Sequence, residues 1–158
     1  MTSSTPAVAP STDRIEKVVT FDAPRSRVWR ALTDYTQFNQ WFGVLLTSPF
    51  TPGAAVSGKL NMRNYDHLTL TIWIASMEPE RFFSFRWHPY AIEEGIDYEA
   101  EPTTLVSFTL EDAGAGTRLT IVESGFDAIP ASRRAKAFSM NERGWAAQAE
   151  NIRRFLSA

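Results

Sequence analysis

Cysteine is absent from this 158-residue chain, which excludes disulfides, thiolate metal sites and a cysteine nucleophile. Histidine occurs only at His67 and His88, with no second histidine at ligand spacing from either, so no metal centre is expected. An excess of one charge is also lacking. Sixteen basic and eighteen acidic residues leave a formal net charge of −2, too little for the field that draws proteins onto nucleic acid. No apolar run approaches the roughly 20 residues that cross a bilayer, so no membrane span is expected. The opening MTSSTPAVAPST has neither the basic nor the apolar region of a secretory signal, and the location expected is cytoplasmic. G-x-S-x-G, a Walker loop and H-E-x-x-H are missing. The GAG at 114–116 lacks the third glycine of a dinucleotide fingerprint and reads as a hairpin, and no cofactor is implied.

What the chain does have is rings, at 13% of its residues. Residues 1–12, built of small polar residues, Pro and Ala, offer little to bury and are expected to form a disordered tail. Residues 13–158 fit a single domain, large enough to remove roughly 68–70% of its unfolded surface from water. RIEKVVTF (14–21) alternates as a first strand. DAPRSRVWRALTD follows as a short helix, with Asp22 as its expected cap and Pro24 in its first turn. Next comes TDYTQFNQWFG, a second short helix entered at Asp34 and ended by Gly43, with Tyr35, Phe38, Trp41 and Phe42 sharing one face.

Beyond it the period changes to two. Segments 55–63, 67–77, 81–88, 104–111 and 117–124 read as strands, and the short turns between most of them make those neighbours antiparallel. After GFDAIP the helical period returns: Phe138, Trp145, Ala149, Ile152 and Leu156 form the stripe of an amphipathic helix over 132–156. At 1.5 Å per residue it spans about 37 Å, enough to cross a sheet.

The stretch FDAPRSRVWRALTDYTQFNQWF resembles the opening motif of the START-like, birch-pollen-allergen-like (SRPBCC) superfamily, in the branch named after the activator of the heat shock protein 90 ATPase. Ala23-Pro24, Val28-Trp29, Ala31-Leu32, Thr33-Asp34 and Trp41 carry the resemblance, which continues at Gly125-Phe126 and Gly144-Trp145. It implies an α+β helix-grip fold: a curved antiparallel sheet of about six strands wrapped around the long C-terminal helix, with a hydrophobic cavity between them. Relatives range from lipid carriers to cyclases and co-chaperones, so the fold alone does not fix the function.

The candidate ligand-binding residues are Trp41, Phe42, Trp73, Phe85, Trp87, Tyr98, Phe108, Glu123, Phe138 and Trp145. Phe83, Phe85 and Trp87 share a strand face, as do Val106, Phe108 and Leu110; these inward rings either fill a core or line a pocket. Glu123 shares a face with Leu119 and Ile121. It is read as orienting a ligand or acting as a base, or else as a strand-end carboxylate wetted or paired with arginine. Gly144 either lets the helix approach the sheet or gives it a hinge. The acidic segment EEGIDYEAE (93–101) reads as a solvated loop or a lid in which Ile92, Ile96 and Tyr98 dip inward. Arg133, Arg134, Arg153 and Arg154 are expected to face water.

The expected function is binding of a small hydrophobic molecule, a lipid, aromatic or polyketide-like metabolite, in the cavity. One alternative is a chaperone partner, with the protein modulating a heat shock protein 90 type ATPase. The other is a cyclase or hydrolase using Glu123 with His88 or Tyr98.

Overall fold

The computed structural model describes residues 12–93 and 95–158. Apart from Thr12, the tail expected over 1–12 lies outside the described residues. β1 (Arg14–Phe21) leads into two short helices, α1 (Arg25–Thr33) and α2 (Tyr35–Phe42). Six strands follow: β2 (Val44–Leu46), β3 (Ala55–Leu60), β4 (Thr69–Glu78), β5 (Phe82–Trp87), β6 (Thr104–Ala113) and β7 (Gly116–Ser124). The chain closes with α3 (Ala131–Ser157), 27 residues and so about 40 Å of helix.

All seven strands form one antiparallel sheet in the order β1-β7-β6-β5-β4-β3-β2. Hence α1 and α2 carry the chain from one edge of the sheet to the other. A register shift between Ile74 and Ser76 puts a bulge in β4, which bends the strand and helps curve the sheet. The inward rows pair across the sheet as alternation requires. Phe83 meets Phe108, which meets Ile121; Phe85 meets Val106, which meets Glu123, and Ile15 follows on β1.

Two local expectations change. Pro24, not Asp22, is the N-cap of α1, and no side chain caps it; its carbonyl accepts from Arg27 and Val28. The sheet also has a seventh strand, β2, held by Asn39. That side chain accepts from the Leu46 N–H (2.9 Å) and donates to the Leu46 carbonyl (3.0 Å), so α2 itself fixes the edge. β2 approaches β3 so closely that a Cβ on Gly58 would lie 2.1 Å from the Leu45 carbonyl oxygen.

The turn between α2 and β2 answers why the ring-rich helix ends in glycine. Gly43 has φ of 88°, a left-handed conformation that closes the helix through its N–H to the Asn39 carbonyl. At the other end, Asp34 accepts from the Thr36 backbone N–H (3.0 Å) and hydroxyl (2.7 Å). The rings of α2 then divide the interior. Phe38 stacks on Phe42 and meets Phe50 and Phe85 edge-on, while Phe83 stacks on Phe50 and Phe108. This half of the space under the helices is filled.

Candidate functional site

The other half holds a cavity of about 430 Å³. Its wall comes from Phe42 on α2, Leu60 and Leu70 on β3 and β4, Trp87 at the end of β5, and Asn141, Gly144, Trp145 and Gln148 on α3. The connection between β5 and β6 supplies Tyr90, Ala91, Ile92, Tyr98 and Glu99. Strand pairing explains why a hollow opens here. The β3/β4 ladder runs to Lys59/Thr69, whereas the β4/β5 ladder begins only at Trp73/Arg86. Thr69–Ile72 therefore have a strand neighbour on one side, and the cavity emerges beside them.

Gly144 keeps the roof thin. A Cβ built on it meets nothing within 4 Å, so the glycine is not there for close approach to the sheet. It leaves open the volume that a side chain would take.

Behind the cavity wall lies Glu123, fully buried. Oε1 accepts from Trp145 Nε1 (2.8 Å) and Asn141 Nδ2 (2.9 Å). Oε2 accepts from Trp87 Nε1 (2.8 Å), Thr104 Oγ1 (2.6 Å) and Asn141 Nδ2 (3.1 Å). No arginine is involved and solvent does not reach it, so the strand-end reading of Glu123 is corrected: a buried carboxyl group must have its hydrogen bonds met, and neutral donors meet them. Indole nitrogens only donate, so the carboxyl group fixes both ring orientations. Trp87 and Trp145 stack with centroids 5.6 Å apart at 28°.

The β5–β6 connection is pinned to α3. Arg133, only 5% exposed, pairs with Glu101 at 2.9 Å, donates to the Pro89 and Tyr90 carbonyls (3.0 and 3.3 Å), and lies 4.8 Å from the Tyr98 ring centre. The expectation that Arg133 faces water is thus overturned: the acidic segment supplies a partner that makes its burial affordable. Lys136 adds a weaker tie, 3.7 Å from Glu93 and 5.5 Å over Tyr90. His88 Nε2 sits 3.1 Å from the Glu101 carbonyl, and the Tyr98 hydroxyl accepts from the Glu93 N–H at 2.8 Å.

Residues 22–157 match the family described as activator of Hsp90 ATPase homolog 1-like protein. The chain belongs to that family. No curated protein matches it. Among solved structures, DynU16, a protein of the dynemicin biosynthetic locus, is 28% identical with a TM-score of 0.71; the match covers 94% of this chain but 48% of DynU16, so this chain spans about half its length. A protein from Arthrobacter aurescens is 21% identical (TM-score 0.73), covering 96% of this chain and 91% of that one. The Aha1 dimer from Colwellia psychrerythraea is 14% identical (TM-score 0.66), covering 89% and 92%. The last two likenesses speak to the fold.

Within this Hsp90 ATPase activator homologue-like domain, the ten candidate residues separate into groups. Phe42, Trp87, Tyr98 and Trp145 line the cavity, and Trp73, 37% exposed, stands at its rim with its ring edge-on to His88 at 5.5 Å. Glu123 holds two of these rings from behind. Phe85 and Phe108 lie in the packed core, Trp41 donates its indole N–H to the Ala31 carbonyl (2.7 Å), and Phe138 packs on Phe126 at 5.2 Å. Asn141 and Gln148 were not among the ten, although the sequence carried a signal: they fall at spacings of three and four within the stripe Phe138, Trp145, Ile152, where polar residues are out of place.

Proposed function

We propose that this domain binds a small, largely apolar molecule in the cavity under α3. The observation that carries the reading is the 430 Å³ hollow, walled by Phe42, Leu70, Trp87, Tyr90 and Trp145, inside an otherwise close-packed ring cluster. Small-molecule sites run to roughly 300–1,000 Å³. At about 25 cal/mol per Å², covering 300 Å² of apolar ligand surface contributes on the order of 7 kcal/mol before the costs of association. The stacked indoles favour a flat, aromatic guest.

N-phenyl-1-naphthylamine, a neutral probe that fluoresces when desolvated, tests this. Saturable uptake at one site per chain is expected, and Gly144→Phe, a bulky ring placed at the cavity wall, is expected to weaken it. Absence of saturable uptake, together with native mass spectra showing no guest on protein from its own host, would remove the reading.

Chemistry at Glu123 gains no support from the geometry. Its oxygens are engaged by Trp87, Thr104, Asn141 and Trp145, while His88 and Tyr98 are bonded to the backbone of 93–101. Modulation of a heat shock protein 90 type ATPase is a second reading, favoured by the family match. Adding the protein to such a chaperone and measuring ATP turnover tests it; unchanged turnover with no co-sedimentation rejects it.

A further inference from the structure

The cavity's polar groups are unevenly chosen. Asn141 forms part of its wall and directs its amide nitrogen at both oxygens of Glu123 (2.9 and 3.1 Å). That fixes which way the amide faces, because an oxygen turned toward a carboxyl group that already accepts from three other donors would find nothing to bond. Oδ1 therefore points away from Glu123, and no described residue donates to it. His88 also lines the cavity. Its Nε2 lies 3.1 Å from the Glu101 carbonyl, which only accepts, so that nitrogen carries a proton.

Positive charge is missing in the same place. Among the described residues lining the cavity there is no lysine or arginine, and Glu99 is the acidic one. The nearby cations are committed outside it: Arg133 to Glu101 and the Pro89 and Tyr90 carbonyls, Lys136 to Glu93. An anionic guest would lose its hydration with no counter-charge to replace it, whereas a guest that donates a hydrogen bond would find an acceptor waiting.

Resting on the binding function proposed above, we propose that the cavity selects uncharged aromatic molecules bearing a hydroxyl or N–H donor, with Asn141 Oδ1 as the acceptor that recognises it, and rejects carboxylates of the same size. Fatty acids and aryl carboxylates are then poor guests despite the apolar wall. Phenol-type compounds are good ones.

Three probes of one shape separate the possibilities: 2-naphthol, 2-methylnaphthalene and 2-naphthoate at pH 7, each displacing N-phenyl-1-naphthylamine. The donor is expected to give 2-naphthol an advantage of about fivefold over 2-methylnaphthalene. 2-Naphthoate is expected to bind at least about tenfold more weakly than 2-naphthol. Asn141→Leu should bring 2-naphthol to within about twofold of 2-methylnaphthalene while the latter's affinity holds, which also reports that the cavity is intact. Naphthoate binding as well as naphthol, naphthol no better than its methyl analogue, or a preference that survives Asn141→Leu would each overturn the proposal. The wild-type ranking decides even where the variant does not fold. If none of the three binds and the fluorescent probe does not either, it is the cavity function itself that fails.

Discussion

Trp87 on the sheet and Trp145 on α3 lie ring over ring, 5.6 Å apart, and both indole N–H groups end on the same carboxyl group. That shared anchor makes Glu123 structural before it is anything else. Glu123→Gln keeps the volume but turns an amide N–H₂ toward an indole N–H, which only donates. It is expected to destabilise the domain by about 1–3 kcal/mol, read by urea denaturation followed through tryptophan fluorescence. Near-ultraviolet circular dichroism should change as the stack loosens. Unaltered stability and spectrum would show that the carboxyl group does not hold the rings.

Gly144 offers the opposite trade. Gly144→Ala places its methyl in open space and removes the conformational penalty of a mid-helix glycine, so it is expected to stabilise the domain by roughly 0.5–1 kcal/mol. Guest affinity should fall slightly with the lost volume. Destabilisation on thermal melting would mean the helix needs the glycine's freedom there.

Arg133 is expected to govern the order of the β5–β6 connection. Removing one partner from a buried pair costs about 3–5 kcal/mol locally, so Arg133→Met should raise hydrogen exchange across residues 89–101. The central strands β6 and β7 should exchange as before. A double-mutant cycle with Glu101→Gln isolates the coupling between the pair.

Asp34 carries a pH dependence. The Thr36 hydroxyl and, after a smaller opposing effect of desolvation, the backbone N–H groups at the start of α2 hold its carboxyl below the ordinary carboxylate range. Because the folded value lies below the unfolded one, the stabilisation is present above about pH 4 and is lost as the pH falls through the folded value. Asp34→Asn keeps a capping oxygen and should flatten this part of the acid limb of the stability–pH curve, whereas Asp34→Ala should cost about 1 kcal/mol at neutral pH. An acid limb identical in Asp34→Asn and wild type would contradict the assignment.

Most of the architecture was legible because two periods dominate this sequence. Alternation marks β5–β7, where Phe83, Phe85 and Trp87 each lie inward, and the stripe from Phe138 to Ile152 marks α3. β2 escaped because three apolar residues carry no period and its place is set by Asn39, a contact that exists only after folding. Burial of Arg133 escaped for a similar reason: its partner, Glu101, is 32 residues away in a stretch whose acidity alone suggests water. The division of the rings between filled core and hollow was not written in their spacing. It depends on where β5 stops, and Trp87 ends it only because Pro89 and the turn after it take the chain out of the ladder.

That early stop of β5 has a kinetic meaning. For the guest proposed above, entry beside Thr69–Ile72 would separate no pair of strands. Its dwell time is then expected to depend on the β5–β6 connection, which Arg133 and Lys136 tie to α3.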